Sequence, residues 1–261
     1  MAVHLKTPEE LAIMREAGRI VGVAHQAMRE AVKPGVTTAE LDKLAATVLR
    51  DHGATSAFLG YPNNKKGAPA YPATICASVN NELVHGIPGP RVLNEGDIIS
   101  IDIGSVYKGF VGDSGWTYAV GEITPAVQRL LDVTEEALWV GIRASVVPNE
   151  TRDVASAIEA YIARHGYGIV REYTGHGVGR SMHEEPQVPN WWPKGRKRGW
   201  ASEKLQPGMT YAIEPMVTIG RAETRELADK WTVVTRDGSL CAHFEHTIAI
   251  TEGEPLILTL P

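Results

Sequence analysis

Leu93-Asn94-Glu95-Gly96-Asp97-Ile98-Ile99-Ser100-Ile101-Asp102 is read again 112 positions later (205 − 93) as Leu205-Gln206-Pro207-Gly208-Met209-Thr210-Tyr211-Ala212-Ile213-Glu214. Each copy closes an apolar run on a carboxylate. Downstream, Asp113 lies eight residues before Gly121-Glu122, and Glu245 lies eight before Gly253-Glu254. Upstream, His85-Gly86-Ile87-Pro88 answers His183-Glu184-Glu185-Pro186. Two like halves folded about an approximate two-fold axis would bring these pairs to one place. Four carboxylates and several histidines around one point require cations to offset the charge.

The rest of the chain repeats on the same plan, over roughly 10–122 and 126–254. Thr7-Pro8-Glu9-Glu10 reads as a helix start, and Lys33-Pro34-Gly35 as its stop. Thr38 is expected to cap a second helix that ends at His52-Gly53. In the second half, Val127 to Leu138 carries a helical spacing, Val147-Pro148-Asn149 breaks it, and the helix after Thr151 ends at His165-Gly166. Strands are expected at 74–79, 97–103, 116–120, 210–217, 231–235 and 243–250. The turns Tyr107-Lys108-Gly109 and Arg236-Asp237-Gly238 favour antiparallel hairpins. The expected fold class is therefore α+β, with two duplicated halves in one domain over residues 1–261 and helices outside a mostly antiparallel sheet. Residues 62–70 and 188–202 have no repeat partner and read as insertions.

On a strand, Asp102 faces opposite to Ile101 and Ile103. A single strand carboxylate of this kind ordinarily points to solvent. Two repeat-equivalent pairs do not fit that reading. His176 stands in the glycine-rich stretch Gly175-His176-Gly177-Val178-Gly179, where backbone can crowd a site. With the two His-x-x-Pro motifs aligned, its counterpart is Ser78, so His176 is the asymmetric member. One imidazole with four carboxylates suits harder divalent ions, and their charge suits two ions sharing carboxylates. His85 and His183 stand ready beside the cluster to hold a carbonyl or shuttle protons.

The 261 residues, 43% of them hydrophobic, can bury a substantial core, and a net charge of −5 gives no reason to expect nucleic acid as the main partner. Cys76 and Cys241 are too few for a disulfide framework. No apolar run reaches the roughly 20 residues needed to span a bilayer, so a cytoplasmic location is expected. The basic run Lys194–Arg198, flanked by Trp192 and Trp200, reads as a solvated loop, with contact to ribosomal RNA as the sharper alternative.

Val84-His85-Gly-Ile-Pro88, Asp102, Gly112-Asp113, Gly175-His176-Gly-Val-Gly-Arg180, His183-Glu-Glu-Pro-Gln187, Ile213-Glu214-Pro-Met216 and Glu245-His246-Thr247 together resemble type I methionine aminopeptidases. The resemblance spans nearly the whole chain and keeps the motif order. It implies the pita-bread fold and removal of the initiator methionine from nascent polypeptides. It implies two divalent ions (cobalt, manganese, iron or zinc) held by Asp102, Asp113, His176, Glu214 and Glu245. Asp113 and Glu245 would bridge, Asp102 would chelate one ion, and His176 and Glu214 would serve the other. The implied reaction is attack of a bridging hydroxide on the methionyl carbonyl, with a small second residue preferred. Glu214 is then also the general base, His85 assists proton transfer, and His183 binds the scissile carbonyl. A methionine pocket is implied at Tyr61, Tyr71, Cys76, Met182 and Trp231, with Phe58 and Met216 as further candidates. A monomer is expected.

Other readings remain in view. Gly112-Asp113-Ser114-Gly115 matches the surroundings of a trypsin-like nucleophile, but that class is all-β. A pita-bread peptidase for Xaa-Pro substrates and a non-catalytic pita-bread binding protein are the nearer alternatives.

Overall fold

The computed structural model describes residues 3–193, 195 and 201–261; most of the Lys194–Arg198 run and Trp200 lie outside them. Two ten-residue strands, Ile98–Tyr107 and Phe110–Ala119, form the long hairpin of the first half. Their turn is Lys108-Gly109, with both residues at positive φ (47° and 79°), the pairing that suits a tight two-residue hairpin. The other edge of Ile98–Tyr107 pairs with Ile75–Val79 and with Thr55–Ser56.

Helices α1 (Pro8–Ala31) and α2 (Thr38–Asp51) cover one face of this sheet. Both begin with a reciprocal cap. The Thr7 hydroxyl accepts from the Glu10 N–H while the Glu10 carboxylate accepts from the Thr7 N–H, and Thr37 and Glu40 do the same. The cap of α2 is thus Thr37, not Thr38: Glu40 lies three residues after Thr37, and Thr38 is already helical and buried. Ile20, Val21, Met28, Leu41 and Leu49 pack on Ile99, Ile101 and Ile103, the strand residues that alternate with Ser100 and Asp102. Each such side chain contributes on the order of 2 kcal/mol by leaving water.

The second half repeats the arrangement with α3 (Pro125–Ala144) and α4 (Thr151–Arg164). Leu130, Leu138, Ile158 and Ile162 pack on Tyr211, Ile213, Val217 and Ile248. Its long ladder is interrupted, however. Thr210–Ile213 pairs with His246–Ala249, and Met216–Thr218 pairs with Cys241–His243, in two different sheets. The expected strands 210–217 and 243–250 are therefore each cut in two. One cut is Glu214-Pro215, where proline has no N–H for the ladder. Ile213 faces His246 and Met216 faces His243, so the opposite cut is Phe244-Glu245. Residues Arg236-Asp237-Gly238 do turn, but they lead from Val233–Thr235 to a strand of another sheet rather than closing a hairpin.

Among the described residues, every paired strand is antiparallel, the four helices lie in two pairs, and each pair packs on the strands of its own half. This is the pita-bread arrangement. Between the halves, Met14, Phe58, Tyr71, Cys76, Phe110 and Met182 form a third apolar cluster. No helix among the described residues is long and apolar enough to cross a membrane.

Candidate metal centre

The first-half hairpin presents two carboxylates on one face. Asp102 faces Gly115 across the ladder, and Asp113, two residues before Gly115, lies on the same side. The ladder cuts of the second half present the other two. Freed from regular pairing, the Glu245 N–H donates instead to the Gly115 carbonyl at 2.7 Å, across the junction of the halves. Around it, the Thr247 hydroxyl donates to the Asp113 carbonyl (2.7 Å), and that of Thr117 to the His243 carbonyl (2.7 Å). Asn190, at the head of the second insertion, donates to the Glu214 carbonyl at 2.9 Å. These bonds hold the backbone segments that carry the acids across the junction.

His176 Nε2 lies 3.7 Å from Asp113 Oδ2 and 3.6 Å from Glu214 Oε1. One ligand atom from each of Asp113, His176 and Glu245 falls within 4.8 Å of the others. Asp102 and Glu214 stand outside that tight trio and line the same cavity of about 190 Å³. Asp102 Oδ1, Asp113 Oδ1 and Glu245 Oε1 are buried without a hydrogen-bond partner. Burial and mutual repulsion push Asp102, Glu214 and Glu245 well above the usual carboxylate range, and burial lifts Asp113 to about 7. Burial pushes His176 down to about 3, leaving a neutral imidazole. Unpartnered carboxylate oxygens facing a neutral imidazole are a donor set that fits divalent cations.

A model of metallopeptidase family M24 matches residues 12–252. The chain belongs to metallopeptidase family M24. It is 50% identical to methionine aminopeptidase 1 of Bacillus subtilis over 254 residues, covering 97% of this chain and 98% of that protein. It is 40% identical to the Escherichia coli K12 methionine aminopeptidase, over 100% of this chain and 95% of the relative. Among solved structures, a Thermotoga maritima methionine aminopeptidase superposes with a TM-score of 0.93 at 40% identity, covering both chains fully. A prolidase of Pyrococcus furiosus shares the fold, with a TM-score of 0.78 at 22% identity, and this chain covers 65% of it.

In this M24 chain the remaining site candidates also converge. Tyr61, Tyr71, Cys76, His85, Met182, His183 and Trp231 line the cavity, as do Phe58 and Met216. The Tyr61 hydroxyl is 2.7 Å from His183 Nδ1. The ring centroids of His183 and His176 are 4.1 Å apart. Tyr71 donates to the Gly86 carbonyl at 2.8 Å, tying the pocket wall to the residue after His85. His85 sits at φ 59° between the rings of Tyr173 and Trp231, and burial pushes it down to about 4. The first insertion borders the pocket: Trp231 donates to the Pro69 carbonyl, Asn63 to that of Lys230, and Lys65 pairs with Glu226.

Ser78, the counterpart of His176, is absent from the cavity lining; its hydroxyl accepts from the Gly86 N–H. Ser114 is no nucleophile, because its buried hydroxyl is committed to the Glu245 carbonyl at 2.6 Å. Sequence reasoning missed Tyr173, Thr174 and His243, which also line the cavity. For His243 the signal was present: it lies two residues before Glu245, the strand spacing that places side chains on one face.

Proposed function

We propose that the chain, as a single catalytic domain over residues 1–261, is a methionyl aminopeptidase that removes the N-terminal methionine of nascent polypeptides. One observation carries the reading. The cavity joins a floor of metal-type donors to a wall of Phe58, Tyr71, Cys76, Met182, Met216 and Trp231. Such a wall, with its sulfur and aromatic groups, accepts an unbranched thioether side chain.

Asp102, Asp113, His176, Glu214 and Glu245 would hold two divalent ions. When bound, the ions supply an acidified water and polarisation of the methionyl carbonyl. The protein's own groups supply the rest. His183, its ring fixed at Nδ1 by Tyr61, keeps Nε2 for the scissile carbonyl. His85 is neutral at pH 7 and offers one N–H and one lone pair near the substrate. Glu214 takes the proton of the attacking water at a carboxylate oxygen and returns it to the departing amine. Trp231, braced by Pro69, and Tyr71 exclude water from the thioether. The same reading places a monomer in the cytoplasm.

The deciding experiment is a panel of Met-Xaa and Xaa-Pro peptides, assayed with defined metals after chelation. Release of methionine ahead of small second residues is expected. Preferential cleavage of Xaa-Pro would move the chain to the prolidase side of the fold. Metal-independent cleavage, or none with any metal, would overturn the reading.

A further inference from the structure

His243 is the one cavity-lining histidine that the repeat and the family motifs leave without a role. It is 1% exposed, and its Nε2 is buried with no hydrogen-bond partner. That nitrogen faces two of the acids, 3.6 Å from Glu245 Oε2 and 3.9 Å from Glu214 Oε2. Glu214 is thereby flanked on both sides, its Oε1 toward His176 and its Oε2 toward His243.

The ring has space only because residue 115 is glycine. A Cβ there would come within 2.7 Å of His243 Cε1 and 3.3 Å of Glu245 Oε2. The ring is also anchored by its backbone: the His243 N–H donates to Thr117 Oγ1 at 3.0 Å, and its carbonyl accepts from the same hydroxyl at 2.7 Å. A group so fixed and so buried is not left unsatisfied without cost. Both contacts exceed the hydrogen-bond limit of about 3.2 Å. A shift of roughly half an ångström by Glu245 brings it into range of that limit.

We propose that His243 is a positioning residue of the metal centre, whose Nε2–H holds the outer oxygens of Glu214 and Glu245 and so presents their inner oxygens to the cations. The inference rests on the aminopeptidase reading only for its metals, not for its substrate. A metal-binding carboxylate is commonly oriented by such a donor, and losing one costs about 10–100-fold in metal affinity. His243 takes over on the second-half acids the orienting work that regular strand pairing does for Asp102 and Asp113, because Glu214 and Glu245 sit at ladder cuts.

Glutamine places an N–H close to the position of an imidazole Nε2, whereas leucine fills the space without a donor. Apo protein is titrated calorimetrically with Mn²⁺ for wild type, His243→Gln and His243→Leu. His243→Leu is expected to weaken the tighter cation at least about tenfold, and His243→Gln to keep it within about threefold. Affinity unchanged in His243→Leu overturns the proposal. So does a His243→Gln variant as weak as His243→Leu, which would make the imidazole itself a ligand. If His243→Leu does not fold, His243→Asn replaces it, since its shorter amide cannot reach the carboxylates; an Asn variant as tight as wild type again overturns the proposal. A wild-type protein that binds Mn²⁺ yet leaves Met-Ala-Ser intact would refute the aminopeptidase reading while this comparison still decides the role of His243.

Discussion

Ser114 donates its hydroxyl to the backbone carbonyl of Glu245 at 2.6 Å, so the neighbour of one acid carries the backbone of that acid's repeat counterpart. Both groups are buried. Replacing Ser114 by alanine leaves a buried carbonyl unsatisfied, at a cost of about 1–3 kcal/mol. Ser114→Ala is expected to unfold at lower denaturant and to bind Mn²⁺ more weakly, while retaining measurable methionine release with excess metal. A stable variant with no activity at any metal concentration would instead revive a serine nucleophile.

Stripping the metals changes how stability responds to pH. Burial raises Asp113 from an ordinary value of 3.8 to about 7, so the folded chain holds a proton that the unfolded chain releases. Stability in chelator is therefore full below about pH 4 for this group and lost as pH rises toward 7, at up to about 1.4 kcal/mol per pH unit for one proton. Denaturant titrations of the chelated protein should show this fall, and Asp113→Asn should make it shallower without abolishing it, because Asp102, Glu214 and Glu245 are raised in the same direction. Saturating Mn²⁺ at pH 7 should restore stability to wild type but not to the variant.

His25 gives the opposite slope. Its Nδ1 is 2.8 Å from the Tyr118 hydroxyl and its Nε2 2.8 Å from the Ser114 carbonyl. Burial pushes it down from 6.5 to about 4, so the fold holds it neutral. Its contribution is complete above about pH 6.5 and lost as pH falls toward 4, on the order of 3 kcal/mol in all. Comparing His25→Gln with wild type across that window should show the difference in unfolding free energy shrinking as pH drops. A constant difference would refute the assignment.

Tyr61 touches the reaction through His183. Loss of its hydroxyl in Tyr61→Phe is expected to lower kcat/KM on Met-Ala-Ser by about 3–10-fold, the worth of one neutral hydrogen bond. In a His183→Ala background the same change should cost nothing further, because the partner is already gone. An additive loss would mean that Tyr61 acts on the substrate directly.

How much of this was legible in the sequence depended on where regular structure continued. Asp102 and Asp113 follow from alternation, since their strands run unbroken for ten residues each. Repetition singles out Glu214 and Glu245, yet alternation alone makes their strands continuous. Pro215 is the local cause of one cut, but the opposing cut at Phe244-Glu245 arises from pairing across sheets, which no local pattern encodes. The relation of His243 to Glu245 is legible in their two-residue spacing, but its approach to Glu214 and Gly115, in distant segments, is not. Thr37 was displaced by one because two adjacent threonines both suit a cap, and only the reach of Glu40 decides between them. The pocket residues lay in helical and strand patterns indistinguishable from core, so the resemblance, not periodicity, identified them.

The hydrogen bonds that cross the junction also bear on assembly. The link between the repeats, around Gly121-Glu122, is exposed, whereas the Gly115–Glu245, Asp113–Thr247 and Thr117–His243 contacts are internal. The covalent connection serves chiefly to keep the halves at high effective concentration. Cutting the gene after Glu122 and co-expressing the two fragments should therefore yield a complementing pair. Neither fragment alone carries the full donor set, so recovery of Mn²⁺ binding would report their encounter, as in a split reporter.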